Sequence, residues 1–205
     1  YFLYIADNLK KAKAAREKEE AEKEFEFGEN LGIPPCCAQF YVDHADEAFK
    51  KQNDFVLFVL EKTNSNPPYN YWNNYIAQYF GYSLLSFFPC SFDCKESIKV
   101  SKQIFNILHK IYPGFANKFL FYHKQNILYT EYRGIYLFEK SPLLSGIISY
   151  DNSKIHSTIK NSSLGKTIFD CDKIKIVKKN HCIFYNKDNI VRVLNGENVG
   201  LCLFR

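Results

Sequence analysis

Seven cysteines fall at positions 36, 37, 90, 94, 171, 182 and 202. Four of them form two short groups, Pro34-Pro35-Cys36-Cys37 and Pro89-Cys90-Ser91-Phe92-Asp93-Cys94, each introduced by proline and each lying at or just before a helical pattern. A helix start presents unpaired N–H groups and a partial positive charge. Both favour the thiolate, the form that ligates metals and attacks electrophiles. Two such starts brought together offer up to four soft sulfur ligands, a donor set suited to zinc or to an iron–sulfur cluster.

The spacing argues against full use of that set. Consecutive helical side chains diverge, so Cys36 and Cys37 are not expected to chelate one ion easily, and Cys90-x-x-x-Cys94 is looser than the common Cys-x-x-Cys. Three sulfurs with one open position are the simpler expectation, and an open position is what a catalytic metal needs. His44, seven residues after Cys37 on the same helical face, is a candidate additional ligand or proton carrier, flanked by Asp43 and Asp46. Ser91 and Ser97 are candidates to donate hydrogen bonds to thiolate or substrate. Cys171, Cys182 and Cys202 stand singly in apolar, strand-like runs and read as small buried hydrophobes. An odd cysteine count without a visible signal peptide speaks for thiols rather than a disulfide framework.

The elements that must position these residues change character along the chain. Residues 6–27 are rich in Ala, Lys and Glu with almost no apolar stripe, which predicts an exposed helix acting as an arm or lid, ended by Gly28 and Gly32. Ala38, Val42, Ala45 and Phe49 predict a helix over about 36–51, and Phe55, Phe58 and Val59 a second over 54–62. The apolar run 71–87 predicts a third. Asp93 as N-cap with Glu96 as its capping-box partner predicts a fourth, stopped near Ile111 by Pro113-Gly114. Beyond Phe115 short strands are expected at 127–132, 134–139, 147–150, 168–170, 173–178, 182–185, 190–194 and 201–204, with His156 and His181 in loops. Helices first and antiparallel strands second predict an α+β fold, a helical N-terminal half packed with a mainly antiparallel β C-terminal part. We divide the chain into an N-terminal helix (1–30), a helical cysteine-motif region (31–115) and a β-rich region (116–205) that forms one compact domain with the second.

Composition excludes several classes. Of 205 residues, 46% are hydrophobic and 24% charged, which is ordinary globular usage and excludes global disorder. No window approaches the ~20 apolar residues that span a bilayer. A cytoplasmic protein is expected, with no membrane partner. Methionine is absent, so residue 1 is not read as an initiator. The net charge of +5 lies wholly in residues 151–205, which carry 10 Lys and Arg against 5 Asp and Glu. Arg192 and Arg205 are the only arginines there, so a solvated basic β surface is favoured and nucleic acid is an unlikely partner. Ser163-Leu164-Gly165-Lys166-Thr167 ends like a phosphate loop but lacks its first glycine.

The segments 31–41 and 84–104 resemble an uncharacterised prokaryotic family, domain of unknown function 483, in which a Pro-Cys-Cys element precedes a His-Pro-Cys-Ser-x-x-Cys-x-x-Ser element. The matching residues are Pro35, Cys36, Cys37, Pro89, Cys90, Ser91, Cys94 and Ser97, and the sequence departs from the pattern at Phe88, where the family has histidine. The resemblance implies functional cysteines and no particular reaction. Taken together, the expectation is a cysteine-ligated metal or iron–sulfur protein, an enzyme or an accessory in sulfur or small-molecule chemistry, with Cys36, Cys37, Cys90 and Cys94 as ligands. Two alternatives stay open: a metal-free thiol redox protein, and a nucleic-acid-binding module with a structural zinc site.

Overall fold

The computed structural model describes residues 4–51, 54–159 and 161–205. The expected continuous N-terminal helix is two, α1 (Leu9–Glu20) and α2 (Glu24–Asn30). Between them Glu22 takes a φ of 53°, in the left-handed region. The turn lets α2 leave the exposed direction of α1 and press Gly28 against the next helix, α3 (Pro35–Lys50). A Cβ added at Gly28 would stand 3.2 Å from the Ala38 Cβ, so this glycine sets how closely the two helices approach. Helix α3 buries Cys37, Ala38, Phe40, Ala45 and Ala48, whereas Val42 and Phe49, expected on its inner stripe, are exposed.

Helix α4 (Val56–Lys62) begins where Asp54 Oδ1 accepts the Val56 N–H at 3.0 Å. Over 71–87 the expected helix is replaced by two 3-10 turns, Tyr71–Asn73 and Tyr75–Phe80, closed by Gly81 at φ 86°. The asparagines explain the difference. Asn70 Oδ1 takes the Trp72 N–H, while Asn73 and Asn74 send their amides to distant carbonyls, and such competition disfavours a regular helix. Helix α5 (Lys95–Ile111) follows, and Pro113, expected to be a stop, is the first residue of α6 (Pro113–His123). Proline fits there because the first helical N–H has no partner to lose.

The C-terminal part forms two antiparallel sheets. One has the order β5-β2-β1-β9, from β1 (Asn126–Thr130), β2 (Gly134–Phe138), β5 (Ile155–Ser157) and β9 (Val199–Cys202). The other has the order β3-β4-β6-β7-β8, from β3 (Leu143–Leu144), β4 (Ile147–Ser149), β6 (Lys173–Lys178), β7 (His181–Asn186) and β8 (Asn189–Asn195). The expected strand at 168–170 is instead the end of α7 (Ser163–Asp170). Ser162 Oγ caps it by accepting the Gly165 N–H at 2.8 Å, and Leu164 and Ile168, four apart, share its buried face. His156 and His181 lie on β5 and β7 rather than in loops.

Every residue of β1 and β2 is buried, because this sheet is a middle layer. Ile127, Tyr129, Ile135 and Leu137 face the helices and join Phe40, Phe55, Val59, Tyr75 and Phe92. Their alternates Leu128, Tyr136 and Phe138 face the second sheet and join Ile148, Ile174 and Phe184. The period of two along a strand is what lets one strand serve both cores. At Gly200 an added Cβ would stand 2.9 Å from Leu60 Cδ2, so α4 lies directly on the β9 backbone. The described structure is α+β, and no helix among the described residues is long and apolar enough to cross a membrane.

Candidate metal centre

The first turn of α3 meets the irregular segment 81–94 at the edge of the helical core. The Cys36 and Cys94 sulfurs are 3.6 Å apart, Cys37 and Cys94 3.7 Å, and Cys36 and Cys37 3.9 Å. With Cys90 included, all four Sγ atoms lie within 4.8 Å of one another. The expectation that adjacent cysteines diverge is corrected. Pro34 is the N-cap and Pro35 the first helical residue, so Cys36 and Cys37 are second and third in α3. Helical Cβ atoms tilt toward the N-terminus, and at the first turn no earlier turn obstructs them. Both sulfurs therefore lean over the helix end. Cys94 is the N-cap of α5, so both helices aim their starts at the same point.

Polar side chains hold the second strand of this site in shape. Asn73 is fully buried, and its Nδ2 donates to the carbonyls of Ser91, Phe92 and Cys94 at 3.3, 3.1 and 3.1 Å. Its Oδ1 accepts the Ser97 hydroxyl at 2.8 Å, and that hydroxyl also reaches the Cys94 carbonyl at 3.1 Å. Thr63 Oγ1 takes the Phe92 N–H at 2.9 Å. The expected capping box is not formed: Asp93 accepts from the Ser65 N–H and hydroxyl, and Glu96 pairs with Lys99 on the surface. Asp93 thus ties the cysteine loop to residue 65, and Cys94 takes the N-cap position without a side-chain capping bond.

The four thiols are unlike one another. Donation from Cys37 and Cys90 holds Cys94 far below the ordinary thiol range, and Ser97, in the first turn of α5, acts in the same direction. Cys37 is pushed far up by its contacts with Cys90 and Cys94 and by its burial. For Cys90 the contact with Cys37 lowers the value, but the contact with Cys94 and burial outweigh that and leave it pushed up to about 12. Burial raises Cys36. Cys94 is therefore the sulfur of the four that its surroundings most favour as thiolate. The Cys90 N–H also donates to Cys37 Sγ at 3.4 Å, the kind of backbone bond that tunes sulfur ligands. Cys36 is exposed, Cys90 partly buried, and Cys37 and Cys94 buried.

His44 stands apart from the sulfurs. Its Nδ1 lies 2.9 Å from the Phe40 carbonyl, and its ring packs against Phe40 and Phe58. Ser97 reaches the site through Asn73 and Cys94, and Ser91 contributes its carbonyl, which accepts the Cys94 N–H at 3.2 Å. Cys171, Cys182 and Cys202 are buried among core side chains, as expected. Sequence reasoning missed Asn73 and Thr63. The signal for Asn73 is an Asn-Asn pair set in an aromatic run.

The donor set fits a metal ion. A tetrahedral ion with zinc–sulfur bonds of about 2.3 Å spaces its sulfurs by roughly 3.8 Å, and three of the separations here are 3.6, 3.7 and 3.9 Å. The four cysteines can hold a metal. No protein-family model, curated protein or solved structure matches the chain.

Proposed function

We propose that the protein is a cysteine-ligated metal protein whose centre is one divalent ion, zinc, held by Cys36, Cys37, Cys90 and Cys94. The observation that carries this reading is the mutual separation of the sulfurs, all within 4.8 Å. One tetrahedral ion needs ligands that close. A cubane cluster gives each sulfur its own iron, with sulfide between, and so needs ligands farther apart. Four thiolates on a divalent ion carry two negative charges, and the two converging helix starts offset part of that charge. Cys36 is the exposed ligand, so it is the position that a substrate sulfur or another donor displaces. We read the Pro-Cys-Cys and Pro-Cys-Ser-x-x-Cys elements as the sequence signature of this centre.

The test is anaerobic purification followed by zinc, iron and acid-labile sulfide analysis. About one zinc per chain without sulfide supports the reading. Iron with stoichiometric sulfide overturns it in favour of a cluster. One observation favours a second reading. Cys94 Sγ lies 3.6 Å from Cys36 Sγ and its thiol is held low, so the same centre without metal is a dithiol placed for disulfide chemistry. A metal-free protein whose mass falls by two hydrogens on mild oxidation, in a bond mapped to that pair, would establish it.

A further inference from the structure

Beside the cysteine centre lies a cavity of about 580 Å³, between the α1–α2 turn, the first turns of α3 and the segment 86–88. That volume is in the range of sites that enclose a small organic molecule. Much of its lining is apolar: Phe27, Leu31, Tyr41 and Phe88 contribute, together with the buried Cys37. The aromatic wall is preformed, because Tyr41 stacks on Phe55 at 5.2 Å and Phe55 stacks on Phe88 at 4.4 Å. The mouth is acidic. Glu19, Glu22 and Glu24 line it with Lys23 as the one basic residue, and no ion pair among the described residues uses any of the four. Burial, and to a smaller extent the charge of Glu24, raise the Tyr41 hydroxyl.

From this arrangement we infer that the cavity binds a small organic cation, an amine with an apolar or aromatic body. Its charge sits among the three glutamates and its apolar end lies against Cys37. A cation gains both from the carboxylates and from the faces of the aromatic rings. A neutral molecule of the same shape gains only from burial, and an anion is repelled. The α1–α2 turn, held by the left-handed Glu22, is the roof that carries the charge. The bound molecule then lies beside the sulfur centre, next to the buried Cys37, while Cys36 stays exposed. The assignment of the Cys37 end rests on the metal-centre reading. The assignment of the charged end does not.

Three probes of one shape test it: 4-phenylbutylamine, 4-phenylbutanol and 4-phenylbutanoate. Each is titrated calorimetrically into the full chain, cobalt-loaded and metal-free. The amine should bind at least tenfold more tightly than the alcohol, and the acid should not bind. Glu22→Gln with Glu24→Gln should remove that preference and leave alcohol binding unchanged. Leu31→Trp, at an exposed position that tolerates bulk, should fill the cavity and weaken both by tenfold or more. Equal binding of amine and alcohol, no binding of any probe, or indifference to Leu31→Trp overturns the proposal. In the cobalt protein the amine should also shift the sulfur-to-cobalt absorption. A bound amine without that shift removes Cys37 from the ligand site. Metal content is measured on the same samples. A chain that prefers the amine but holds no metal retracts the metal centre alone, and a metal-loaded chain without the preference retracts the cavity alone.

Discussion

Cys37 at the start of α3 and Cys171 at the end of α7 are equally hidden from solvent, each 1% exposed, yet their surroundings are opposite. Cys37 faces three other sulfurs and a backbone N–H. Cys171 packs with Ile168, Ile174 and Phe184 in the core between the sheets, and burial raises its thiol. Cys182 is pushed up to about 12 by burial alone, and burial likewise raises Cys202. Burial therefore does not separate a ligand from a packing residue. The neighbours do: beside Cys37 stand other sulfurs, among them Cys94, held low by thiol contacts and Ser97, whereas hydrocarbon keeps the core thiols protonated.

The sharpest way to break this contrast is Cys94→Ser. Serine is a poor ligand for a soft metal, and a structural zinc contributes about 10–16 kcal/mol of apparent binding energy in small zinc peptides. Metal per chain, by elemental analysis, should fall from about one to near zero, with a large drop in Tm. Retention of full metal would remove Cys94 from the ligand set. Next in size is Asn73→Ala, which removes three bonds to carbonyls and the bond from the buried Ser97 hydroxyl. A loss of about 3–4 kcal/mol by urea denaturation is expected, together with weaker metal binding, although every cysteine is intact.

His123 sharpens the comparison by isolating an acid effect that owes nothing to sulfur. It is fully buried, and burial lowers it to about 4. Its unfolded value is about 6.5. The unfolded state binds the proton first, so stability falls as pH drops from about 6.5 to about 4, by about 3 kcal/mol in total. Metal-free protein should show this slope, and His123→Gln should flatten it. An unchanged slope would assign the acid loss elsewhere. Cys182→Ser comes next, with about 2 kcal/mol lost because a hydroxyl is buried among apolar groups, and with metal content unchanged. Metal loss there would overturn the division of the cysteines. The smallest effect belongs to Cys36→Ser. As the exposed ligand it should weaken metal about tenfold, or ~1.4 kcal/mol, in a chelator competition while about one ion per chain remains.

The sequence made some of this legible and hid the rest for physical reasons. The α+β order, α3, α5 and most strands follow from periodicity, since Leu128, Tyr136 and Phe138 alternate with residues of the other core. The two cysteine groups were legible from proline and helix starts. Their full convergence was not, because it depends on side-chain lean over the end of α3, which spacing does not encode. The turns at 71–80 were hidden because Trp72, Tyr75, Ile76 and Tyr79 mimic a helical period, while the deciding partners of Asn73 and Asn74 lie 18 to 49 residues away. The break at Glu22 was hidden because every residue around it favours helix.

The bonds between residues 69–71 and 203–205 have a consequence for the order of assembly. The Tyr69 N–H donates to the Leu203 carbonyl at 2.6 Å, Arg205 N–H to Tyr69 at 2.9 Å, and Tyr71 N–H to Arg205 at 3.4 Å. This parallel bridge fixes the chain that leads directly into Asn73, the clasp of the cysteine loop. On a growing chain all four cysteines are made long before residues 199–205. The nascent protein therefore has its thiols without the brace that sets their geometry. Contacts this distant in sequence are among the slowest to form. The geometry of the four thiols is in this way tied to the completion of the sheet rather than to the emergence of the cysteines.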